Sequence, residues 1–96
     1  MKEKITEIEF VPIKANKGLF GFVSFVLNGE LFCGSIAVYS RIDGSGIRLV
    51  YPKINNKGRQ FPTFYPIKRE LASKIEEKVA EKVKEIFNGL STDNKN

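Results

Sequence analysis

The first part of the chain carries apolar runs separated by turn residues. Residues 5–13 alternate between apolar and polar side chains, which predicts a strand with one buried face. The run from residue 19 to residue 27 has apolar side chains on both faces, so we expect both faces to be covered. Asn28-Gly29 is typical of a type I′ hairpin turn, because both positions require positive φ. Residues 31–39 are therefore predicted to return antiparallel.

The segment that follows is rich in turn residues. Residues 43–46, Asp-Gly-Ser-Gly, predict a turn, and residues 47–51 predict a fourth strand that Pro52 ends or marks as an edge. Residues 55–58, Asn-Asn-Lys-Gly, predict a further loop. Residues 61–65 are interrupted by Pro62 and predict an extended but irregular segment. An earlier turn is predicted at residues 16–18, Asn-Lys-Gly.

After Pro66 the apolar side chains change to helical spacing. They recur every three or four residues, at Leu71, Ile75, Val79, Val83, Ile86 and Leu90. This pattern predicts one long amphipathic helix that stops at Gly89, followed by a disordered polar tail over residues 91–96. The predicted fold is α+β, an antiparallel sheet of four to five strands with one long C-terminal helix, in a single domain over residues 1–90.

Composition favours one globular domain in a reducing compartment. The chain has 96 residues, of which 42% are hydrophobic and 28% charged. No apolar run approaches the roughly 20 residues of a membrane helix, and the alternating start predicts no signal peptide. Cys33 is the lone cysteine, so a cytoplasmic location is expected. Since Cys33 lies in an apolar strand without a flanking base, we predict a buried structural thiol.

The residue inventory argues against an enzyme. There is no histidine, which excludes histidine triads and Cys/His zinc sites. Gly44-x-Gly46 lacks the third glycine of a dinucleotide-binding loop, because Leu49 stands in its place. Glu76 and Glu77 diverge by about 100° on a helix and belong to a solvated face. We therefore expect no catalysis, no cofactor, no metal and no small-molecule substrate.

Positive charge is concentrated in one part of the chain. The formal net charge is +5, yet residues 41–69 alone carry seven basic residues against Asp43, a net charge of +6. Flexible cations can neutralise phosphates, and the neighbouring aromatic rings can stack on unpaired bases. These rings belong to Tyr51, Phe61, Phe64 and Tyr65. The alternative is that the rings are core and the cations only solvate loops, and composition leaves both open.

On the predicted helix, Lys74, Lys78 and Lys82 form a basic line at four-residue spacing. Neighbouring glutamates nearly cancel its field, so ordinary solubilising charge is the favoured interpretation for the helix alone.

Several segments resemble the SpoVG family, the stage V sporulation protein G that is also called the septation protein or regulator. They are residues 22–29 (FVSFVLNG), Phe32 with 36–38 (IAV), 46–52 (GIRLVYP), Gly58, and 65–67 (YPI). The likeness runs from about residue 5 to residue 79, including the order of strands, the turns and the proline before the helix. The chain departs from the family at Ala37, where a basic residue is usual, and at residues 51–55, where a Met-Pro-Ser-Arg-Lys-like run is usual. Phe61-Pro62 replaces an Arg-Asp pair, so the contacts of that pair are not carried over to this divergent member.

The resemblance implies a bacterial, homodimeric, site-preferring nucleic-acid-binding protein that regulates gene expression, septation or sporulation. A homodimer also agrees with the strand at residues 19–27, because one helix cannot readily cover both faces of a sheet. The loop after Pro52 matches the family's basic loop, which places Lys53, and more loosely Lys57 and Arg59, in the contact region.

The sequence thus predicts electrostatic docking on DNA or RNA without a cofactor. The expected contacts are Arg41, Arg48, Lys53, Lys57, Arg59, Lys68 and Arg69, with Lys74 and Lys78 as outer contacts. The alternative function is a protein-interaction module that uses the same basic face on an acidic partner, without nucleic acid.

Overall fold

A four-stranded antiparallel sheet forms most of the fold in the computed structural model, which describes residues 2–94 and the side chains of residues 2–88. Its strands follow the chain in the order β1 (Ile5–Asn16), β2 (Leu19–Leu27), β3 (Leu31–Ser40) and β4 (Ile47–Val50). A separate hairpin contains β5 (Lys53–Asn56) and β6 (Arg59–Pro62), and α1 (Arg69–Asn94) follows. The predicted α+β class, with one antiparallel sheet and one C-terminal helix, is confirmed.

Three hairpin turns place two consecutive residues at positive φ, as type I′ geometry requires. They are Lys17-Gly18 (53° and 92°), Asn28-Gly29 (57° and 66°) and Lys57-Gly58 (53° and 81°). The Asn28 turn is also tied to the start of the chain, because the Lys4 amide donates to Asn28 Oδ1 at 2.8 Å and the Asn28 amide donates to the Lys4 carbonyl at 2.7 Å. The turn predicted at Asn28-Gly29 is confirmed.

Two bulges change which side chains face the helix. In β1 the register shifts around Glu7 (φ 52°), and in β3 it shifts around Ser35 (φ 58°). Each bulge inserts a residue and bends the strand. Ile5 and Phe10 therefore both point into the core although they are five positions apart, which strict alternation would not allow.

The core lies between one face of the sheet and α1. Its buried side chains are Ile5, Phe10, Val23, Phe25, Cys33, Ile36, Val38, Ile75, Val79 and Val83. Gly21 is required under the Phe10 ring, because a Cβ there would lie 2.4 Å from ring carbons. The prediction that Cys33 is buried is confirmed, and burial raises the pKa of its thiol.

Two predictions about local structure are wrong. The loop expected at residues 55–58 is the end of β5 and the turn of a hairpin. Of the segment expected to be extended but irregular, residues 61–65, the first two belong to β6 and pair with β5, whereas residues 63–65 lie outside any strand. The helix continues through Gly89, because a helical glycine costs only about 1 kcal/mol relative to alanine. The polar tail expected at residues 91–96 overlaps the last helical residues, and residues 95–96 lie outside the described part of the chain. Within that part, no helix is both long enough and apolar enough to cross a membrane.

Candidate nucleic-acid interface

The hairpin of β5 and β6, residues 53–62, projects from the body of the protein and is called the basic arm below. All eight residues of its two strands are exposed, and the strands pack mainly on each other. The paired residues are Lys53 with Pro62, Ile54 with Phe61, Asn55 with Gln60 and Asn56 with Arg59. Both faces of the arm are therefore open to solvent or to a partner.

The base of the arm is fixed to the rest of the fold. The backbone amide and the hydroxyl of Thr63 both donate to the Pro52 carbonyl, at 3.1 and 2.9 Å. Tyr51 and Phe64 meet edge to face, with ring centroids 5.9 Å apart. These two rings and Leu71 line a cavity of about 110 Å³, which brings the base of the arm next to the first turns of α1. Lys68 and Arg69 therefore lie at the same end of the molecule as the arm.

The cations of the basic arm have no ionic partner in the described chain. Lys53, Lys57 and Arg59 lie in a stretch, residues 44–69, that contains no Asp or Glu. Neither of the two ion pairs among the described residues involves the arm. The Arg59 guanidinium carbon lies 5.5 Å from the centroid of the Phe61 ring, a cation–π contact that orients it without neutralising it. The arm therefore offers uncompensated positive charge to an anion.

Arg41 and Arg48 are in a different electrostatic setting, before and near the start of β4, whereas the arm follows the end of that strand. The Arg41 guanidinium forms an ion pair with Glu76 Oε1 at 3.1 Å. Hydrogen bonds from Ser45 hold the pKa of Asp43 below its ordinary value, so a second carboxylate stays charged beside Arg41. Arg48 lies over the Tyr39 ring at 4.8 Å. Of these two residues, Arg48 has no ion pair among the described residues, so its positive charge is the more available to a ligand.

Lys74 and Lys78 lie on α1, where Lys74 already has a hydrogen-bond partner within the chain. The Lys74 ammonium group is partly buried and donates to the Glu3 carbonyl, just before β1. Lys78 is one turn further along and shares that side of the helix. Glu76, which holds Arg41, is about 200° around the helix from Lys74. Binding by Lys74 and Lys78 as outer contacts stays a prediction.

The four aromatic residues of the basic stretch divide into two pairs. Tyr51 and Phe64 are half-buried and hold the base of the arm, so they are structural. Phe61 and Tyr65 are exposed. The Tyr51 hydroxyl is buried, and desolvation, with smaller contributions from Cys33 and Glu76, raises its pKa to about 12. Neither Tyr51 nor Cys33 is therefore an ionised nucleophile at neutral pH.

Two features of the candidate interface are absent from the sequence prediction. The first is the cross-strand pair of Asn55 and Gln60 on the basic arm. Asn and Gln are common in loops and give no signal until the register of a hairpin places them together.

The second feature is that Val11 and Phe32 join Phe22 in one apolar patch on the side of the sheet away from α1, called the outer sheet face below; the sequence predicted only that residues 19–27 are apolar on both faces. Val11 is paired with Phe22, and Phe32 is paired with Val26 across the next strand. Val11, Phe22 and Phe32 are 60%, 40% and 71% exposed. No other element of the described chain covers these three side chains.

Comparison of the sequence with known proteins assigns no family to this chain. No protein-family model matches the chain, and no curated protein matches it significantly. The likeness to SpoVG therefore depends on the residues quoted above.

Proposed function

We propose that this chain is a regulatory nucleic-acid-binding protein that resembles SpoVG, and that the basic arm is its main contact with DNA or RNA. The supporting observation is the set of exposed arm cations, Lys53, Lys57 and Arg59, without ionic partners and in a stretch without carboxylates. Lys68 and Arg69 extend this charge along the base of the arm. Arg48, and less directly Arg41, would supply further contacts from the start of β4 and the loop before it.

Exposed cations suit this function because, when they bind phosphates, they release the counterions that are condensed on the nucleic acid. The arm cations are already in water, so little desolvation opposes their approach to a phosphate. Binding of this kind requires no cofactor and weakens steeply with salt. The resemblance extends the proposal to a cytoplasmic, bacterial homodimer acting in gene expression, septation or sporulation.

The test is fluorescence anisotropy with duplex and single-stranded DNA and RNA at several salt concentrations. The main variant is Lys53→Gln/Lys57→Asn/Arg59→Gln, in which asparagine keeps a residue that tolerates positive φ in the turn. If each cation neutralises one phosphate, the slope of log affinity against log salt should fall by about two to three units. An unchanged slope and affinity would show that the arm is not the contact.

The chain supplies a matched control for the turn position. Asn16-Lys17-Gly18 repeats the tripeptide of residues 56–58, and Lys17 has the same φ of 53° as Lys57. Lys17→Asn should change binding much less than Lys57→Asn. Lys82→Gln/Lys84→Gln is a second control, since Lys82 is already paired with Glu85 at 3.6 Å.

One observation favours the second candidate function, binding of an acidic protein surface. Ile54 and Phe61 form an exposed apolar pair on the arm, 58% and 44% exposed, and phosphates need no apolar contact. Absence of binding to all four nucleic acids at low salt would exclude the first function. Capture of an acidic protein by the wild type, and not by the triple variant, would then support the second.

A further inference from the structure

The basic arm has two chemically different faces. In an antiparallel hairpin, directly paired residues share a face and successive pairs alternate between faces. Asn55 and Gln60 are one pair and therefore lie side by side, on the face that also carries Lys53. Ile54, Phe61 and Arg59 lie on the opposite face, where the guanidinium meets the ring. The arm thus has an amide face and an apolar face.

The amide face has unused hydrogen-bonding capacity. Both Asn55 and Gln60 are exposed, and none of the side-chain hydrogen bonds of the described residues involves either amide. Asparagine is also disfavoured in strands, so strand formation gives no reason for it at this position. A carboxamide presents one donor group and one acceptor side by side, the pattern that pairs with N6 and N7 of adenine in the major groove.

The dimensions of the arm fit one class of nucleic acid better than the others. Its two strands lie about 4.8 Å apart, and the major groove of B-form DNA, about 12 Å wide, admits a two-stranded ribbon. The major groove of duplex RNA is deep and narrow and cannot be read in this way. Recognition of single strands depends on stacking rings, and the amide face has none.

We infer that the basic arm lies in the major groove of duplex DNA and reads adenine through the side-chain amides of Asn55 and Gln60. Lys57 at the tip is then placed for the phosphates along the groove. The inference depends on the proposed function and specifies its substrate as duplex DNA. The amides determine base preference, and the cations supply affinity for any sequence.

The experiment is selection from a pool of random duplex DNA by the wild type and by Asn55→Ala/Gln60→Ala. The wild type should enrich adenine at a defined position. The double variant should bind the unselected pool within about twofold of the wild type but lose about tenfold or more of its preference for the enriched duplex. Asn16→Ala, an exposed asparagine beside the other Asn-Lys-Gly turn, should leave the preference intact. Circular dichroism and thermal unfolding establish that each variant is folded.

A variant that should gain a new base preference tests the inference without relying on the loss of the old one. Gln60→Arg should move the preferred base pair from A·T to G·C, because a guanidinium pairs with O6 and N7 of guanine. Retention of the adenine preference by the double variant, or equal affinity for duplex RNA or single-stranded DNA, would overturn the inference while the proposed function stands. Absence of binding to any nucleic acid would overturn both.

Discussion

At the scale of single residues, the hydroxyl of Tyr51 is a polar group in a position where burial is unfavourable. It is the one buried side-chain polar atom in the described chain that has no hydrogen-bond partner. The ring itself is well placed, against Phe64 at the base of the arm. A buried hydroxyl without a partner costs about 1–3 kcal/mol, whereas the same ring without it loses no packing.

Tyr51→Phe should therefore raise the free energy of unfolding by about 1 kcal/mol at pH 7. Urea unfolding of both proteins measures the difference, and Tyr65→Phe is the control because Tyr65 is exposed. A destabilised Tyr51→Phe would show that the hydroxyl makes a bond in solution.

The same residue predicts a dependence on alkaline pH. The pKa of Tyr51 is raised from 10.0 to about 12 in the folded protein, so the unfolded chain releases this proton first. This group leaves the free energy of unfolding unchanged with pH below about 10, and stability is lost as the pH rises from 10 toward 12, because only the unfolded chain gains by ionising there. The wild type should therefore lose more stability than Tyr51→Phe between pH 10 and pH 11.5. Parallel pH profiles would contradict this assignment.

At the scale of elements, the start of α1 carries charge of the unfavourable sign. Lys68 and Arg69 stand where the helix dipole favours anions, and Glu70 is the only acidic residue of the first turn. The Ala72 amide donates to the Lys68 carbonyl at 3.0 Å, so Lys68 adjoins the first helical hydrogen bond. Such a cost to stability agrees with a binding role for the two cations.

Lys68→Glu/Arg69→Glu should therefore raise the midpoint of thermal unfolding and weaken binding to nucleic acid. The expected gain is about 0.3–1 kcal/mol for each residue at low salt. Calorimetry and anisotropy on the same samples measure both effects. Lys82→Glu/Lys84→Glu makes the same change of charge away from the helix start and should give no such gain. Unchanged affinity would remove Lys68 and Arg69 from the interface, and a lower midpoint would contradict the unfavourable charge at the helix start.

At the scale of the whole molecule, the outer sheet face is an apolar surface that a single chain leaves uncovered. The helix covers the other face, whereas Val11, Phe22 and Phe32 remain exposed. The strand at residues 19–27 was expected to be covered on both faces, and within one chain it is covered on one. A second copy packed face to face would bury the patch symmetrically.

We expect a homodimer of twice the 10.9 kDa chain mass in light scattering at micromolar concentration. Phe22→Glu should give the monomer, because it places a carboxylate in the centre of the outer sheet face. Ile42→Glu is the control, since Ile42 is fully exposed in the β3–β4 loop, away from the face. A wild-type mass near one chain would exclude the dimer, whatever the variants show.

The main sheet and the helix could be predicted from the sequence because each buries one side against the other. Burial imposes the period of two on strands such as β1 and the period of three to four on α1, and Asn28-Gly29 specifies its own turn geometry. The concentration of positive charge in residues 41–69 was visible for a simpler reason, since charge depends on residue type alone.

Tertiary structure decided what the charges and amides can contact. The basic arm buries neither face, so no periodicity marked its strands, and the register set by Lys57-Gly58 alone places Asn55 beside Gln60. Chain folding also brings Glu76 to Arg41 and the Glu3 carbonyl to Lys74 across long sequence separations. Partners distant in sequence are determined by packing. The nine predicted cations therefore separate into three sets: an open arm with the helix start beside it, Arg41 and Arg48 at β4, of which Arg41 is ion-paired, and Lys74 and Lys78 on the helix, of which Lys74 is bound to the Glu3 carbonyl.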